Sequence, residues 1–260
     1  MTSDPQHVVL IHGAWSRGEQ MADAAAAFAA RGYVVHTPTL RHHELPIEDG
    51  SDKIATLSLR DYTEDLVRFV NSLPSPPLLV GHSLGGLIAQ LVAAQTVSSG
   101  VIAACPSPVG PAGTNTTTVQ IALANKQFPP WAKPVYPPDW RLFRKGVAHT
   151  HATEIVRQLY EQLVCESGRI INFEVAFPRF DRAKSAEVDY SSISGRVLII
   201  GAQFDRIVSP KSARRVATRF RHGSYVEIPA ADHMVFTGDL LPITMDCIDT
   251  WLTDSSVSSY

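Results

Sequence analysis

The sequence predicts an α/β fold in which helices flank a mostly parallel β-sheet. Short runs of β-branched residues alternate with amphipathic or alanine-rich segments, which is the pattern of consecutive βαβ units. Apolar residues occupy successive positions within these runs, and such strands require helices on both faces of the sheet. The alternation is interrupted once, between about residues 106 and 193.

Six strands and five helices account for the chain outside that interruption. The strands are the runs HVVLIHG, YVVHTP, PPLLVG, GVIAAC, RVLIIGA and SYVEIP, at 7–13, 33–38, 76–81, 100–105, 196–202 and 224–229. The helices are predicted at about 18–31, 59–72, 84–96, 209–220 and 239–253. The helices alternate with the strands, as the connections of a parallel sheet require.

The interruption is rich in proline. It opens with CPSPVGPAGTNTTT, continues through FPPWAKPVYPPDW and then contains two helical stretches at about 149–166 and 168–177. Prolines at this density exclude a regular central strand, because proline cannot donate to the hydrogen-bond ladder. We therefore predict that 1–105 and 194–260 form one core and that 106–193 is an inserted cap.

Composition and charge exclude several classes of protein. With 45% hydrophobic and 18% charged residues and a formal net charge of −2, the chain has the composition of a globular protein and no bias towards nucleic acid or membrane partners. The opening MTSDPQH has no basic or apolar leader, which predicts a cytoplasmic protein. Cys105, Cys165 and Cys247 lie far apart, so neither a disulfide framework nor a zinc site is indicated. Monomer and homodimer both stay open.

The segment VGHSLGG places Ser83 between Gly81 and Gly85. The pattern G-x-S-x-G is typical of a strained strand-to-helix turn that exposes a nucleophilic serine. The context agrees, because the apolar run LLVG precedes Ser83 and the helical pattern LGGLIAQLVAAQ follows it. The two glycines are predicted to let the strand and the helix approach closely. We interpret Ser83 as the nucleophile, and a serine that only caps a helix is the alternative.

A serine nucleophile needs a histidine to take its proton and a carboxylate to orient that histidine. Asp205 follows the fifth predicted strand, and His233 follows the sixth. Loops at the carboxyl ends of parallel strands are where open α/β sheets bind ligands, so we predict Asp205 as the acid and His233 as the base. The loop after the fourth strand offers no other acid, since no Asp or Glu occurs from 101 through 138. Asp232 is adjacent to His233 and is poorly placed to reach its ring.

Backbone N–H donors are expected to stabilise the oxyanion of an acyl transfer. One should come from Leu84, directly after the nucleophile. The other should come from the loop HGAW after the first strand, where Gly13 allows a tight turn. Ala14 is the first choice for this donor and Trp15 the second. His12 is interpreted as a structural histidine that supports the loop.

Together, IHGAW, GHSLGG, Asp205 and the ADHM around His233 resemble the α/β-hydrolase superfamily over nearly the whole chain. The first strand bears the HG dipeptide without a preceding hairpin, and here the chain resembles the branch of plant methylesterases, hydroxynitrile lyases and bacterial esterase relatives. The resemblance implies an α/β-hydrolase fold with about six strands and a helical cap after the fourth. Hydroxynitrile lyases of this branch carry threonine in place of Gly13 and lysine in place of Met234, so the chain is esterase-like at both positions.

The sequence therefore predicts a serine hydrolase that cleaves a small carboxylic ester or lactone through an acyl-enzyme on Ser83, without a metal or organic cofactor. Two alternatives stay open: a carbon–carbon bond hydrolase or lyase, and a ligand-binding sensor that retains the three residues. Substrate contacts are predicted from the neighbours of those residues and from cap aromatics, which would also pack the cap onto the core. The predicted substrate-binding residues are Trp15, His82, Phe128, Trp131, Tyr136, Trp140 and Met234.

Overall fold

The computed structural model describes residues 6–110, 117, 120–121 and 128–254. Its strands are β1 (His7–Ile11), β2 (Val34–His36), β3 (Leu78–His82), β4 (Gly100–Ala104), β5 (Pro134–Val135), β6 (Glu166–Ser167), β7 (Val197–Ala202) and β8 (Gly223–Ile228). Six of them form one parallel sheet in the order β2-β1-β3-β4-β7-β8. β5 and β6 form a separate antiparallel pair. The predicted parallel sheet of six strands is confirmed.

Helices cover both faces of the sheet, as predicted. Those of seven or more residues in the described ranges are α1 (Ala22–Ala29), α2 (Ile47–Ile54), α3 (Leu59–Asn71), α4 (Leu84–Ala93), α5 (Trp140–Gly146), α6 (Thr153–Glu161), α7 (Pro210–Ala217) and α8 (Leu240–Thr253). α3, α4 and α7 pack on one face, and α1 and α8 pack on the other. None of these helices combines the length and the apolar character that crossing a bilayer requires.

The register of the strands brings the loops of interest to one edge of the sheet. Val9 on β1 is paired with Leu79 on β3, which is paired in turn with Val101 on β4. Every residue of β1, β3, β4 and β7 is buried, so these strands form the centre of the core. Because all six strands run in the same direction, the residues that follow them meet at the carboxyl edge.

The segment between β4 and β7 departs from the sequence prediction. The helix expected at 149–166 ends at Glu161 as α6, and Glu166 lies in the short strand β6. Glu166 is fully buried, and the hydroxyl of Tyr62 on α3 donates to it at 3.0 Å. This long-range contact overrides the local helical pattern. The helix expected at 168–177 is a π-helical turn over Ile170–Val175.

Two helices, α2 and α5, were not predicted. α2 carries Glu48 and Asp49 in its first turn and Lys53 in its last, an arrangement that complements the helix dipole. α5 begins after Asp139, whose side chain accepts a hydrogen bond from Leu142 N–H at 2.8 Å. Both helices have at most eight residues, which is too short for a hydrophobic period to be read from the sequence.

Two buried glutamates attach the segment between β4 and β7 to the rest of the protein. Glu174 accepts a hydrogen bond from Leu59 N–H at 2.8 Å and so caps the first turn of α3. Glu166 accepts from the Tyr62 hydroxyl, and its other carboxylate oxygen lies 3.2 Å from His43 Nε2. Both glutamates have no solvent exposure. We call Glu166 and Glu174 the anchor glutamates.

Candidate active site

Ser83 occupies a sharp turn between β3 and α4. Its backbone has φ +55° and ψ −117°, a conformation that residues with a Cβ rarely adopt. A Cβ added to Gly81 would lie 2.0 Å from Gly85 O, and one added to Gly85 would lie 2.2 Å from Ile11 O. No side chain fits at either position, because the nearest atoms belong to backbone. The predicted steric role of both glycines is confirmed.

Backbone hydrogen bonds hold this turn against β4. Ser83 N–H donates to Ala104 O at 2.9 Å, and Ser107 N–H donates to Ser83 O at 2.9 Å. Leu84 is the first residue of α4, so its N–H has no acceptor within the helix. The turn therefore presents a half-buried serine next to an N–H group that has no acceptor within α4.

Asp205 and His233 lie on neighbouring loops and are hydrogen-bonded to each other. The bond joins His233 Nδ1 to Asp205 Oδ2 at 2.7 Å, and both side chains are almost fully buried. Asp205 Oδ1 accepts from the N–H groups of Ile207 at 2.7 Å and Val208 at 2.9 Å. These donors fix the carboxylate, and the carboxylate in turn fixes the imidazole, with its Nδ1 engaged.

His82 supports His233 from the other side. Its Nε2 lies 2.7 Å from the backbone oxygen of His233. A carbonyl oxygen can only accept, so Nε2 carries the proton. Burial, followed by the nearby His233, lowers the pKa of His82 to about 4. His82 is therefore a neutral residue that holds the backbone of His233, and its predicted contact with a substrate stays a prediction.

His12 fixes the loop after β1. Leu40 N–H donates to His12 Nε2 at 3.0 Å, so this nitrogen is unprotonated and Nδ1 carries the hydrogen that it donates to Gly13 O at 2.9 Å. Burial, followed by the electrostatic influence of His43, lowers the pKa of His12 to about 3, so the ring is neutral. In a trans peptide the C=O and the next N–H point in opposite directions. Ala14 N–H therefore points away from the His12 ring.

The same loop touches the nucleophile turn and the segment between β4 and β7. A Cβ on Gly13 would lie 3.1 Å from Ser83 Cβ, so the two turns are in close contact. Trp15 has φ +60°, and its Nε1–H donates to Val135 O at 3.0 Å. Val164 N–H donates to Trp15 O at 2.9 Å. Trp15 thus joins the loop to β5 and to Val164.

Cys105 completes a compact cluster at the end of β4. Its sulfur, a carboxylate oxygen of Asp205 and a ring nitrogen of His233 all lie within 4.8 Å of one another, and these are ligand types that bind Zn²⁺. However, Asp205 and His233 already share a hydrogen bond, and burial raises the pKa of the Cys105 thiol. A metal requires the thiolate. A metal ion would therefore have to displace both the thiol proton and the hydrogen bond between Asp205 and His233.

The predicted substrate-binding residues lie in two different environments. Trp140 packs edge-on against Tyr160 at 5.4 Å between ring centroids, in an apolar cluster that also includes Met234. Phe128 is 84% exposed, and its nearest ring neighbour, Trp131, is 50% exposed. Tyr136 is likewise exposed. Their substrate-binding roles stay predictions.

The contacts of Asp232 were not predicted from the sequence, in which this residue was only an alternative acid. Asp205 binds the ring of His233, and Asp232 instead accepts from Met234 N–H at 3.0 Å and Thr150 N–H at 2.7 Å. The position of an acidic residue directly before the predicted base was a visible signal. Its partner Thr150, in the segment between β4 and β7, could not be identified from the sequence.

Comparison with known proteins places the chain in a family. Residues 8–239 match the Alpha/beta hydrolase family. A stretch of 79 residues, 30% of the chain, is 34% identical to a pyrethroid hydrolase of Sphingobium wenxiniae. The matched stretch spans 27% of that relative.

Solved structures resemble the chain over almost its full length. A methylesterase from Arabidopsis superposes with a TM-score of 0.72 at 15% identity, covering 95% of this chain and 99% of the other. A monoacylglycerol lipase from Paleococcus ferrophilus gives a TM-score of 0.70 at 22% identity, covering 97% and 95%. At these identities the likeness is one of fold. Because the family match spans most of the chain, the protein belongs to the alpha/beta hydrolase family.

Proposed function

We propose that the protein hydrolyses a small carboxylic ester or lactone, with Ser83 as nucleophile, His233 as general base and Asp205 as the acid that orients it. The main support is the 2.7 Å hydrogen bond between His233 Nδ1 and Asp205 Oδ2, at the same edge of the sheet as the strained turn of Ser83. With Nδ1 engaged, Nε2 is the ring nitrogen that remains to accept the serine proton.

In the acylation step, Ser83 Oγ attacks the carbonyl carbon of the ester while His233 Nε2 takes its proton. Asp205 stabilises the imidazolium that forms. The negative charge on the substrate oxygen is stabilised by two backbone N–H groups. One belongs to Leu84, the first residue of α4, and the other to Ala14, whose N–H points away from the His12 ring. The carbon–oxygen bond to the alcohol then breaks, and His233 returns its proton to the departing oxygen.

In the deacylation step, a water molecule attacks the acyl group on Ser83. His233 takes a proton from this water and passes it to Ser83 Oγ as the acyl–oxygen bond breaks. The acid is released and the serine is restored. A lactone follows the same steps, except that the leaving hydroxyl stays attached to the product. In this scheme His233 accepts and returns every proton that is transferred, and water is the second substrate.

Substrate selection belongs, in this proposal, to the inserted cap 106–193, with 1–105 and 194–260 as the catalytic core. Trp140 and Met234 share an apolar cluster beside His233, so we infer that the site accepts an apolar acyl or alcohol group. The partial similarity to a pyrethroid hydrolase is consistent with an apolar ester.

The proposal is tested by comparing the purified protein with its Ser83→Ala variant on p-nitrophenyl esters of increasing chain length, simple lactones and a pyrethroid ester. We expect Ser83→Ala to lose on the order of 10⁴-fold or more in kcat. Ser99→Ala, an exposed serine after α4, is the matched control and should retain full activity. Mass spectrometry after rapid quenching should detect the acyl group on Ser83.

Each alternative function predicts a different result. Cleavage of a cyanohydrin or a dienedioate, with no turnover of esters, would support the lyase or carbon–carbon hydrolase. Tight ligand binding with negligible turnover of the whole panel would support the sensor. Equal activity of the wild type and Ser83→Ala would exclude the serine mechanism.

A further inference from the structure

Asp232 is a second buried carboxylate beside His233. Its side chain has no solvent exposure. Oδ1 accepts a hydrogen bond from Met234 N–H at 3.0 Å, and Oδ2 accepts one from Thr150 N–H at 2.7 Å. His151 Nε2 lies 3.2 Å from Oδ1, and its ring is also buried. Asp232 thus contacts both the loop of His233 and residues 149–151, which precede α6.

The contacts of Asp232 bear directly on the backbone of His233. The bond to Met234 N–H closes a short ring around His233, in the manner of an Asx turn. On the other side, His82 Nε2–H donates to His233 O at 2.7 Å. The main chain of His233 is therefore held from two directions, while Asp205 fixes only its ring. If the hydrogen bond from Met234 N–H were lost, Asp205 would still orient the ring, but the backbone of His233 would be held less firmly.

The charge state of Asp232 follows from these contacts. Burial by itself would raise the pKa of Asp232, but the interactions with His151, Thr150 N–H and Met234 N–H outweigh it and lower the pKa to about 2. The residue is an anion near neutral pH. A negative charge close to an imidazole favours its protonated form. The titratable and charged groups around Asp232 and His233 are His82, Cys105, Arg144, His149, His151, Asp205 and Arg206.

We infer that Asp232 is a positioning residue that ties the loop of the base His233 to residues 149–151 of the inserted segment. This inference rests on the proposed role of His233. It assigns the segment between β4 and β7 a part in setting the geometry of the base, in addition to any contact with substrate. Asp232 does not touch the reacting atoms, so its effect is transmitted through the backbone of His233 and through its charge.

Replacing Asp232 with asparagine tests this inference, because Asp232→Asn keeps the shape and removes the charge. An amide cannot accept from Met234 N–H and from Thr150 N–H at the same time, since one of its ends is a donor. We expect kcat to fall by about 10- to 100-fold, with KM changed less than about twofold, as for a misplaced catalytic group. The acid limb of the kcat/KM profile should move to lower pH, because the imidazolium loses a neighbouring anion.

Asp239→Asn is the matched control. Asp239 lies in the same loop, is exposed and carries the same charge. This variant should leave kcat, KM and the pH profile unchanged. The inference is overturned if Asp232→Asn matches the wild type in kcat and pH profile, or if Asp239→Asn reproduces its losses.

A second pair of variants covers the case in which Asp232→Asn does not fold. His151→Gln keeps an N–H group that can approach Asp232 Oδ1, from which His151 Nε2 lies 3.2 Å in the wild type. His151→Leu keeps the bulk without any N–H group. We expect His151→Leu to lose about tenfold in kcat and His151→Gln to recover most of that loss. Equal losses in both variants, in proportion to their loss of thermal stability, would show that His151 only packs and would overturn the inference.

A substrate-free measurement separates this inference from the proposed function. Hydrogen exchange of the backbone amides of the folded protein can be followed by NMR. We expect the amide proton of Met234 or of Thr150 to exchange faster in Asp232→Asn than in the wild type, because at least one of them loses its acceptor. A wild type that hydrolyses no ester would overturn the proposed function and leave this difference in place. Unchanged exchange at both amides in an active enzyme would overturn the inference alone.

Discussion

The carboxyl edge of the sheet and the segment between β4 and β7 are held in place by different physical means. At the edge, the contacts are between backbone atoms. Ser83 N–H donates a hydrogen bond to Ala104 O, and Gly85 lies directly against the carbonyl of Ile11. The segment is held instead by buried carboxylates. The anchor glutamates Glu166 and Glu174 accept hydrogen bonds from α3 and its surroundings.

This difference has an energetic consequence. A contact between backbone atoms in the centre of a parallel sheet cannot relax without moving a strand, so a substitution there affects the whole fold. A buried carboxylate that loses a partner costs the desolvation of the groups left unpaired, which is a local and limited amount. We therefore expect substitutions at the edge to be much more damaging than substitutions of the anchor glutamates.

The largest effect is expected at the edge, for Gly85→Ala. The new Cβ would lie 2.2 Å from Ile11 O and 2.4 Å from His12 O, and neither carbonyl can move freely. We expect the free energy of unfolding to fall by about 4–5 kcal/mol, or the protein not to fold at all. Gly195→Ala is the control, because its Cβ would meet only Ser98 O, at 4.0 Å. Urea unfolding of both variants measures the difference, and similar midpoints would contradict the steric account.

The turn of Ser83 at the carboxyl edge could be predicted from the sequence for the same steric reason. Only glycine fits at positions 81 and 85, so the constraint appears as the spacing G-x-S-x-G. The roles predicted for Asp205 and His233 followed from strand order, because the carboxyl ends of parallel strands must meet. The structure brings these two residues into contact, at 2.7 Å between His233 Nδ1 and Asp205 Oδ2.

The next largest effect is expected for the anchor glutamate Glu174. Its two oxygens accept from Ser58 Oγ and Arg169 Nε on one side and Leu59 N–H on the other. In Glu174→Gln the amide NH₂ must face a donor in either orientation. We expect a loss of about 3 kcal/mol in the free energy of unfolding. Glu187→Gln, an exposed glutamate paired with Lys184, should change it by less than about 0.5 kcal/mol.

Equal effects of the two glutamate variants in chemical denaturation would show that Glu174 does not hold the segment. Protease cleavage within residues 128–193 gives a second readout. Cleavage there should become faster in Glu174→Gln and stay unchanged in Glu187→Gln.

The anchor glutamates were not predictable from the sequence. Glutamate is ordinarily exposed, so nothing in the pattern distinguishes Glu174 from Glu187. The partners of Glu174 and Glu166 on α3 are more than a hundred residues away in the chain. For the same reason β6 was predicted to be part of a helix, because local periodicity contains no information about the contact between Glu166 and Tyr62.

Acidification should produce a smaller effect, of about 2 kcal/mol, through His82 at the carboxyl edge of the sheet. Burial, followed by His233, lowers the pKa of His82 from 6.5 to about 4. As the pH falls from 6.5 to 5, the unfolded chain gains a proton on His82 and the folded protein does not. The free energy of unfolding therefore decreases, by about 2 kcal/mol from this group. His82→Gln, measured by unfolding at pH 7 and pH 5, should lose that part of the pH dependence.

The same slope in His82→Gln and the wild type would show that His82 is protonated in the folded protein at pH 5. The hydrogen bond from His82 Nε2 to His233 O does not itself exclude the charged form. The burial of the ring is the feature that this measurement tests.

The smallest effect is expected for Glu166→Gln, and here the two anchor glutamates should differ. The Gln oxygen can still accept from the Tyr62 hydroxyl and from Ser167 N–H, which both contact the same oxygen, Oε1, in the wild type. The NH₂ group then faces His43 Nε2, which can become an acceptor if the ring proton moves to Nδ1. We expect a loss of about 1 kcal/mol in the free energy of unfolding. This is smaller than for Glu174→Gln, because the partners Arg169 and Leu59 N–H cannot become acceptors. A Glu166→Gln loss as large as that of Glu174→Gln, in urea unfolding, would mean that charge rather than donor matching holds the segment.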